Sequence, residues 1–348
     1  MKNTTYRLLL LSLVTLSVLS LSAQSTQRTT SATVPGSTRE YKAKNMREGI
    51  YRGQTLLGLV PHGSGVMEYA DGDLYEGEFV RGKNSGYGTM TYRSGNRYVG
   101  QWKDGKRHGT GVFYYVNGDR YEGYFDENRR EGFGTMYYAS GDTYMGMWKG
   151  GKRHGNGSYS WASGDNYSGQ WASDHRDGTG KFFWADGSRY EGGWKEGRFS
   201  GHGIYRHANG DVYDGHWESG MMHGEGTYTF SGGDVYRGGY SYNNRCGKGT
   251  YTFSSGNEFV GLWADGVPEG DGTLTMKNGY SFSGSYVKGL REGSFAEYDA
   301  DGNLLRTVTY KGGDEVAGTT LLGDQDIDAE TGLPYEDMEG EADDSTAD

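Results

Sequence analysis

The chain has 348 residues, 63 of them glycine, with 14% aromatic side chains, a single cysteine and a formal charge of -11. Glycine averages about 7% of ordinary proteins, so a share more than twice that, with few aliphatic residues, excludes a conventional aliphatic core. One cysteine excludes an intramolecular disulfide, and the negative balance argues against nucleic acid as a partner.

The chain opens with Lys2 and Arg7, then an apolar run from Leu8 to Leu21 broken only by Ser and Thr, then Ser22-Ala23-Gln24. This is the layout of a signal peptide, and the run is shorter than the ~20 residues a membrane span requires. Residues 1–23 are therefore expected to direct export and to be cleaved after Ala23. The mature chain is expected in the periplasm, in the cell envelope or secreted. Residues 24–49, polar and rich in Ser and Thr, read as a flexible leader.

Residues 50–304 are a repeat. Tyr75, Tyr98, Tyr121, Tyr144, Tyr167, Tyr190, Tyr213, Tyr236, Phe259 and Phe282 stand 23 apart without a slip. Numbered from these residues, glycine holds positions 3, 8, 12, 14 and 21, and aromatics favour 1, 5, 16 and 18. Positions 1 to 5 and 12 to 18 alternate, which is the strand signal. Glycine at 8 and Asn-Gly-Asp phrases such as Asn117-Gly118-Asp119 break the strands where tight turns need positive φ. Each repeat is thus a β-hairpin. The fold class expected is all-β: an elongated single-layer antiparallel β-meander solenoid of 23-residue hairpins. Its core is expected to be a row of rings, each lying in the gap left by a glycine on the neighbouring strand. Strands about 4.8 Å apart advance each hairpin by roughly 10 Å, so ten repeats make a ribbon on the order of 100 Å long.

Beyond the repeats, residues 305–323 read as a capping strand, with Leu305 to Tyr310 its β-like part. Residues 324–348 hold eleven acids and neither Lys nor Arg, the composition of a disordered acidic tail. That tail is either a solvating terminus or a binder of cations or a basic partner.

The phrases Tyr75-Glu-Gly77-Glu-Phe79, Tyr121-Glu-Gly123-Tyr-Phe125 and Tyr190-Glu-Gly192-Gly-Trp194, with their trailing Gly-x-Gly pairs, resemble MORN (membrane occupation and recognition nexus) repeats. The resemblance covers roughly residues 50 to 304. It implies a single-layer hairpin ribbon that serves as a scaffold for protein contacts, with binding of lipid head groups as an alternative.

Two candidate surfaces follow. The aromatic face, at Tyr98, Trp102, Tyr121, Phe125, Tyr144, Trp148, Tyr167 and Trp171, is expected to form a groove for a protein partner, or alternatively a platform for sugars. The cations at positions 9 and 10, namely Lys83, Lys106, Arg107, Arg129, Arg130, Lys152 and Arg153, are expected on one long edge. There they form either a self-neutralising rim or a grip for anionic lipid or an envelope polymer. The histidines at position 11 (His62, His108, His154 and His223) stand about 20 Å apart two repeats on, too far to share one metal ion. No nucleophile, base and orienter stand out together. The chain is therefore expected to be a non-enzymatic scaffold without metal or cofactor. Its expected partners are a protein, or alternatively a membrane surface, with pairing of sheet ends giving a homodimer.

Overall fold

The computed structural model describes residues 38–41 and 47–320. The expected signal peptide, most of the leader and the acidic tail lie outside these residues. Every described element is a strand, and the strands fall into two compact units, divided between Val116 and Asn117.

The first unit holds β1 (Thr38–Tyr41), β2 (Gly49–Leu56), β3 (Val60–Tyr69), β4 (Leu74–Val80), β5 (Lys83–Thr91), β6 (Arg97–Lys103) and β7 (Lys106–Tyr114). Each pairs antiparallel with the next along the chain. The leader is thus not wholly unstructured: Thr38–Tyr41 adds a strand against β2.

The second unit is likewise an antiparallel meander. It begins with β8 (Arg120–Asp126), β9 (Arg129–Tyr137), β10 (Thr143–Lys149), β11 (Lys152–Ser160), β12 (Asn166–Ala172) and β13 (His175–Phe183). It goes on through β14 (Arg189–Lys195), β15 (Arg198–Arg206), β16 (Val212–Glu218), β17 (Met221–Thr229), β18 (Val235–Ser241) and β19 (Asn244–Thr252). It closes with β20 (Glu258–Ala264), β21 (Val267–Thr275), β22 (Ser281–Val287), β23 (Leu290–Tyr298), β24 (Leu304–Lys311) and β25 (Asp314–Thr320). The segment expected as one capping strand is therefore two, a further hairpin.

The five fixed glycines do two different things. At position 8 the hairpin turn needs two successive residues with positive φ, as in Asp104 (51°) and Gly105 (83°), and glycine takes the second at no steric cost. Positions 3 and 14 instead make room. A methyl group on Gly146 would lie 2.6 Å from the Tyr144 hydroxyl oxygen, and one on Gly157 would lie 2.4 Å from it. The ring of Tyr144 lies flat in the gap between these two facing glycines, which pair directly across the strands. A β-bulge follows each such pair, as between Gly146 and Trp148. It takes the position 4 carbonyl out of the ladder, and the tyrosine hydroxyl donates to that orphaned oxygen: Tyr144 to Met147 at 2.9 Å, Tyr167 to Gln170 at 2.9 Å. Ring, glycine pair and bulge form one device, copied down the chain.

Position 22 clamps each hairpin to the next. The carboxylate of Asp142 accepts from the Ala162 amide at 2.8 Å and from the Tyr159 hydroxyl at 2.9 Å. Asp211 repeats this with Ser231 at 2.7 Å and Tyr228 at 3.0 Å. The Ala162 amide, chief among these donors, holds the Asp142 carboxyl below its ordinary range.

Candidate functional site

All eight rings expected to line a partner groove are core. In the first unit Tyr98 is fully buried and Trp102 is 5% exposed; in the second, Tyr121, Tyr144 and Tyr167 are fully buried, with Phe125, Trp148 and Trp171 at 5% or less. The expectation of an open aromatic groove is corrected. Each tyrosine is wedged at right angles between two position 5 rings: Tyr144 stands 5.1 Å from Trp148 and 5.4 Å from Trp171. The indole N–H groups are used as well, Trp148 donating to Gly134 at 3.1 Å and Trp171 to Gly157 at 3.1 Å. With no second layer, the rings cover one another, so none of these eight leaves a face open for a sugar or a peptide.

The basic edge divides into two rows because positions 9 and 10 point to opposite sides of the strand. Position 10 turns toward the rings. The Arg130 guanidinium lies 4.1 Å from the centre of Trp148, Arg153 lies 4.4 Å from Trp171, and Arg107 lies 4.8 Å from Phe113. Two of them donate locally, Arg130 to the Gly151 carbonyl and Arg153 to Asp174. These three are lids over the aromatic core, and the expectation that they present a charged edge is corrected. Arg176 and Arg245, not singled out from sequence, do the same over Trp194 and Trp263, and burial pulls both guanidinium groups down. Where the repeat has Phe199, that ring stacks on Tyr190 at 3.9 Å, so a neutral aromatic replaces the cation in the same slot. Position 9 points away from the rings and is exposed: Lys83, Lys106, Arg129 and Lys152. Lys83 is paired with Asp104 at 3.3 Å.

The other face of the sheet is built from positions 2, 4, 13 and 15, where the repeat fixes no residue type. Positions 4 and 13 face each other across successive strands: Phe133 opposite Met147, Asn156 opposite Gln170, His202 opposite His216, Lys248 opposite Leu262. Over β8, β9 and β10 positions 4 and 13, with position 2 of β10, are large and apolar, beside Glu122 and Thr135. Tyr124 is 39% exposed, Phe133 44%, Met145 45% and Met147 42%. Tyr124 leans over Gly132, whose added methyl would be 3.7 Å from it. At the turn side of this patch stand Arg129, Lys149 and Lys152, with Lys149 and Lys152 directly opposite each other. Sequence reasoning missed Tyr124, Phe133, Met145 and Met147. The signal was present, since their neighbours in register carry Gln, Thr, Asn and Ser.

Comparison with protein families matches the MORN repeat at ten consecutive segments: 60–74, 75–97, 98–120, 121–143, 144–166, 167–189, 190–212, 213–235, 236–258 and 259–279.

The chain belongs to the MORN repeat family.

A search of curated proteins finds no match to this MORN chain. Among solved structures it is similar to the TCP10 domain of Danio rerio CPAP in complex with a peptide of Danio rerio STIL. That likeness has 10% identity and a TM-score of 0.37, over 67% of this chain and 98% of the other. It is also similar to the SAS-4 (dCPAP) TCP domain of Drosophila melanogaster in complex with a proline-rich motif of Ana2. There the identity is 12% and the TM-score 0.28, over 44% and 83% of the two chains. Likenesses at this level carry no argument about function.

Farther along the second face, the MORN repeats change chemistry. Around His202, His216, Glu225, Arg237 and Lys248 there is an open depression of about 580 Å³. Gly226, Gly238 and Gly249 line it beside these side chains. The His202 imidazole lies 3.1 Å from the Asp214 carboxylate, and its ring centre is 5.6 Å from that of His216. One surface thus carries an apolar region with a basic border and a polar region of mixed charge, on a shared invariant backing.

Proposed function

We propose that this MORN-repeat protein is an exported, non-enzymatic scaffold of the cell envelope that docks a protein partner on the second face, around Tyr124, Phe133, Met145 and Met147. The observation that carries this reading is four large apolar side chains exposed in one patch on adjacent strands, while the eight candidate rings of the opposite face are buried. Contiguous exposed apolar side chains mark interaction sites, and Tyr, Phe and Met are enriched there. The signal-peptide layout of residues 1–23 supports export. No catalytic family is matched. The sugar-platform reading loses its support, since Trp102, Trp148 and Trp171 offer no free ring face.

The test is crosslinking and capture from the native envelope with the wild-type chain and with Phe133→Glu plus Met147→Glu. Partners lost with the double variant, while its circular dichroism is unchanged, support the reading. The same partners captured at the same level by both would sink it. Export is checked separately: a mature protein beginning at Gln24 is expected.

A further inference from the structure

The apolar patch has a basic border, beside which the fold places Asp126, directly opposite Arg129, and Glu131, which accepts from the Gly150 amide. Arg129, Lys149 and Lys152 rim it, and none of the three has an ion pair among the described residues. Lys149 and Lys152 face each other directly across the hairpin, an arrangement of like charges that weakens a strand pair. A carboxylate brought from outside would relieve it. The fitting occupant is therefore a segment with acids beside large apolar side chains.

The chain carries such a segment. Asp326-Ile-Asp328-Ala-Glu330 is followed by Leu333-Pro-Tyr335-Glu336-Asp337-Met338-Glu339, and no Lys or Arg occurs from 324 to 348. Leu333 and Tyr335 are two residues apart, so an extended chain turns both to the same side, about 7 Å apart. The segment does not reach its own patch. From β25 back to β10 is fifteen strand steps, about 70 Å along the sheet, whereas thirteen extended residues from 321 to 333 cover at most about 45 Å.

We propose that residues 326–339 of a second copy of this chain occupy the patch, Leu333 and Tyr335 lying on Tyr124, Phe133 and Met147 while Glu336 and Asp337 meet Lys149 and Lys152. Two copies that exchange these segments satisfy both sites, so the assembly closes as a dimer. This rests on the reading of the second face as the docking surface and names its occupant.

The full chain is examined by light scattering with size exclusion, across a range of concentrations. A dimer is expected, dissociating at least tenfold more readily in Lys149→Glu plus Lys152→Glu and restored when Glu336→Lys and Asp337→Lys are added to the same chain. Free synthetic peptide 324–348 is expected to compete, and raised salt to weaken association. A strict monomer, or a dimer indifferent to the charge swap, overturns the proposal. So does binding to phosphatidylglycerol vesicles that depends on Lys149 and Lys152 in a chain that stays monomeric, since the occupant would then be a membrane. If the chain is monomeric yet its envelope crosslinks still depend on Phe133 and Met147, the face stands as a docking site and only this occupant falls.

Discussion

The two faces of the second unit are made by the same strands and obey opposite rules. On the ring face, Tyr121, Tyr144, Tyr167, Tyr190, Tyr213 and Tyr236 are all fully buried, and the geometry around each is nearly a copy of the last. On the other face, the facing positions run from Phe133 and Met147 through His202 and His216 to Lys248 and Leu262. A single-layer sheet has no second layer to bury a core, so one face must supply all of it. Only a repeating ring-and-glycine unit does so without gaps. That demand removes freedom from positions 1, 3, 5 and 14 and leaves 2, 4, 13 and 15 unconstrained by folding. Chemistry specific to this chain therefore belongs on the second face.

The contrast breaks most sharply at a glycine. In Gly123→Val the new side chain begins 2.5 Å from both the Gly134 Cα and the Tyr121 hydroxyl, and neither backbone nor trapped ring has room to yield. A loss of about 3 kcal/mol or more is expected, read as a large drop in melting temperature. Lys152→Ala, on the exposed row, is expected to change it by less than about 0.5 kcal/mol. A reversed order would mean that the rings do not depend on those gaps.

Alkali attacks the same face through its hydroxyls. Burial, the largest cause in each case, pushes the phenols of Tyr144, Tyr167, Tyr190, Tyr213 and Tyr236 well above their ordinary value. A folded-state pKa raised above that of the unfolded chain gives stability that is complete below the unfolded value, about 10, and that declines as pH rises beyond it. Cooperative unfolding is expected above about pH 10, with phenolate absorbance appearing together with loss of the strand signal. Titration of these tyrosines at pH 10 with the sheet intact would show them accessible to solvent.

Much of this was legible beforehand because a 23-residue period with fixed glycines leaves few folds open. Hairpins, one sheet and rings over glycines all follow from Tyr98, Gly100, Gly111 and their copies. What sequence reasoning misassigned was burial. An exposed stack and a closed one share the same letters; the difference lies in Trp148 turning its indole N–H onto Gly134 and Arg130 folding over the ring. Adjacent Lys152 and Arg153 looked like one basic pair, yet alternation along the strand sends one to solvent and the other to the core. The second face drew no notice because a repeat focuses attention on what recurs.

Smaller changes sharpen the comparison. Tyr144→Phe keeps the ring and removes the hydrogen bond to the bulge carbonyl of Met147, and about 1 kcal/mol of stability is expected to go with it. Phe259 already occupies this position without a hydroxyl, so Phe259→Tyr is the reciprocal test, with a gain expected if the glycine pair admits the oxygen. Arg153→Ala, which uncovers Trp171 and releases Asp174, is expected to cost somewhat less, about 0.5–1 kcal/mol, and to raise the solvent quenching of tryptophan fluorescence.

The smallest expected effect bears most on function. Phe133→Ser removes a ring that is 44% exposed and leaves the Gly123–Gly134 pair and the Tyr121 ring untouched. Stability is expected to stay within about 0.5 kcal/mol of wild type, while solubility rises because an apolar patch is diluted. A phenylalanine that costs nothing to remove is not there for folding, and its exposure is a liability unless something covers it. If Phe133→Ser instead destabilises the chain as much as Tyr144→Phe does, the ring is packing on the sheet for its own sake. Positions 4 and 13 would then be a second, partial core, and the division of labour between the two faces would fail at the site where a partner was placed.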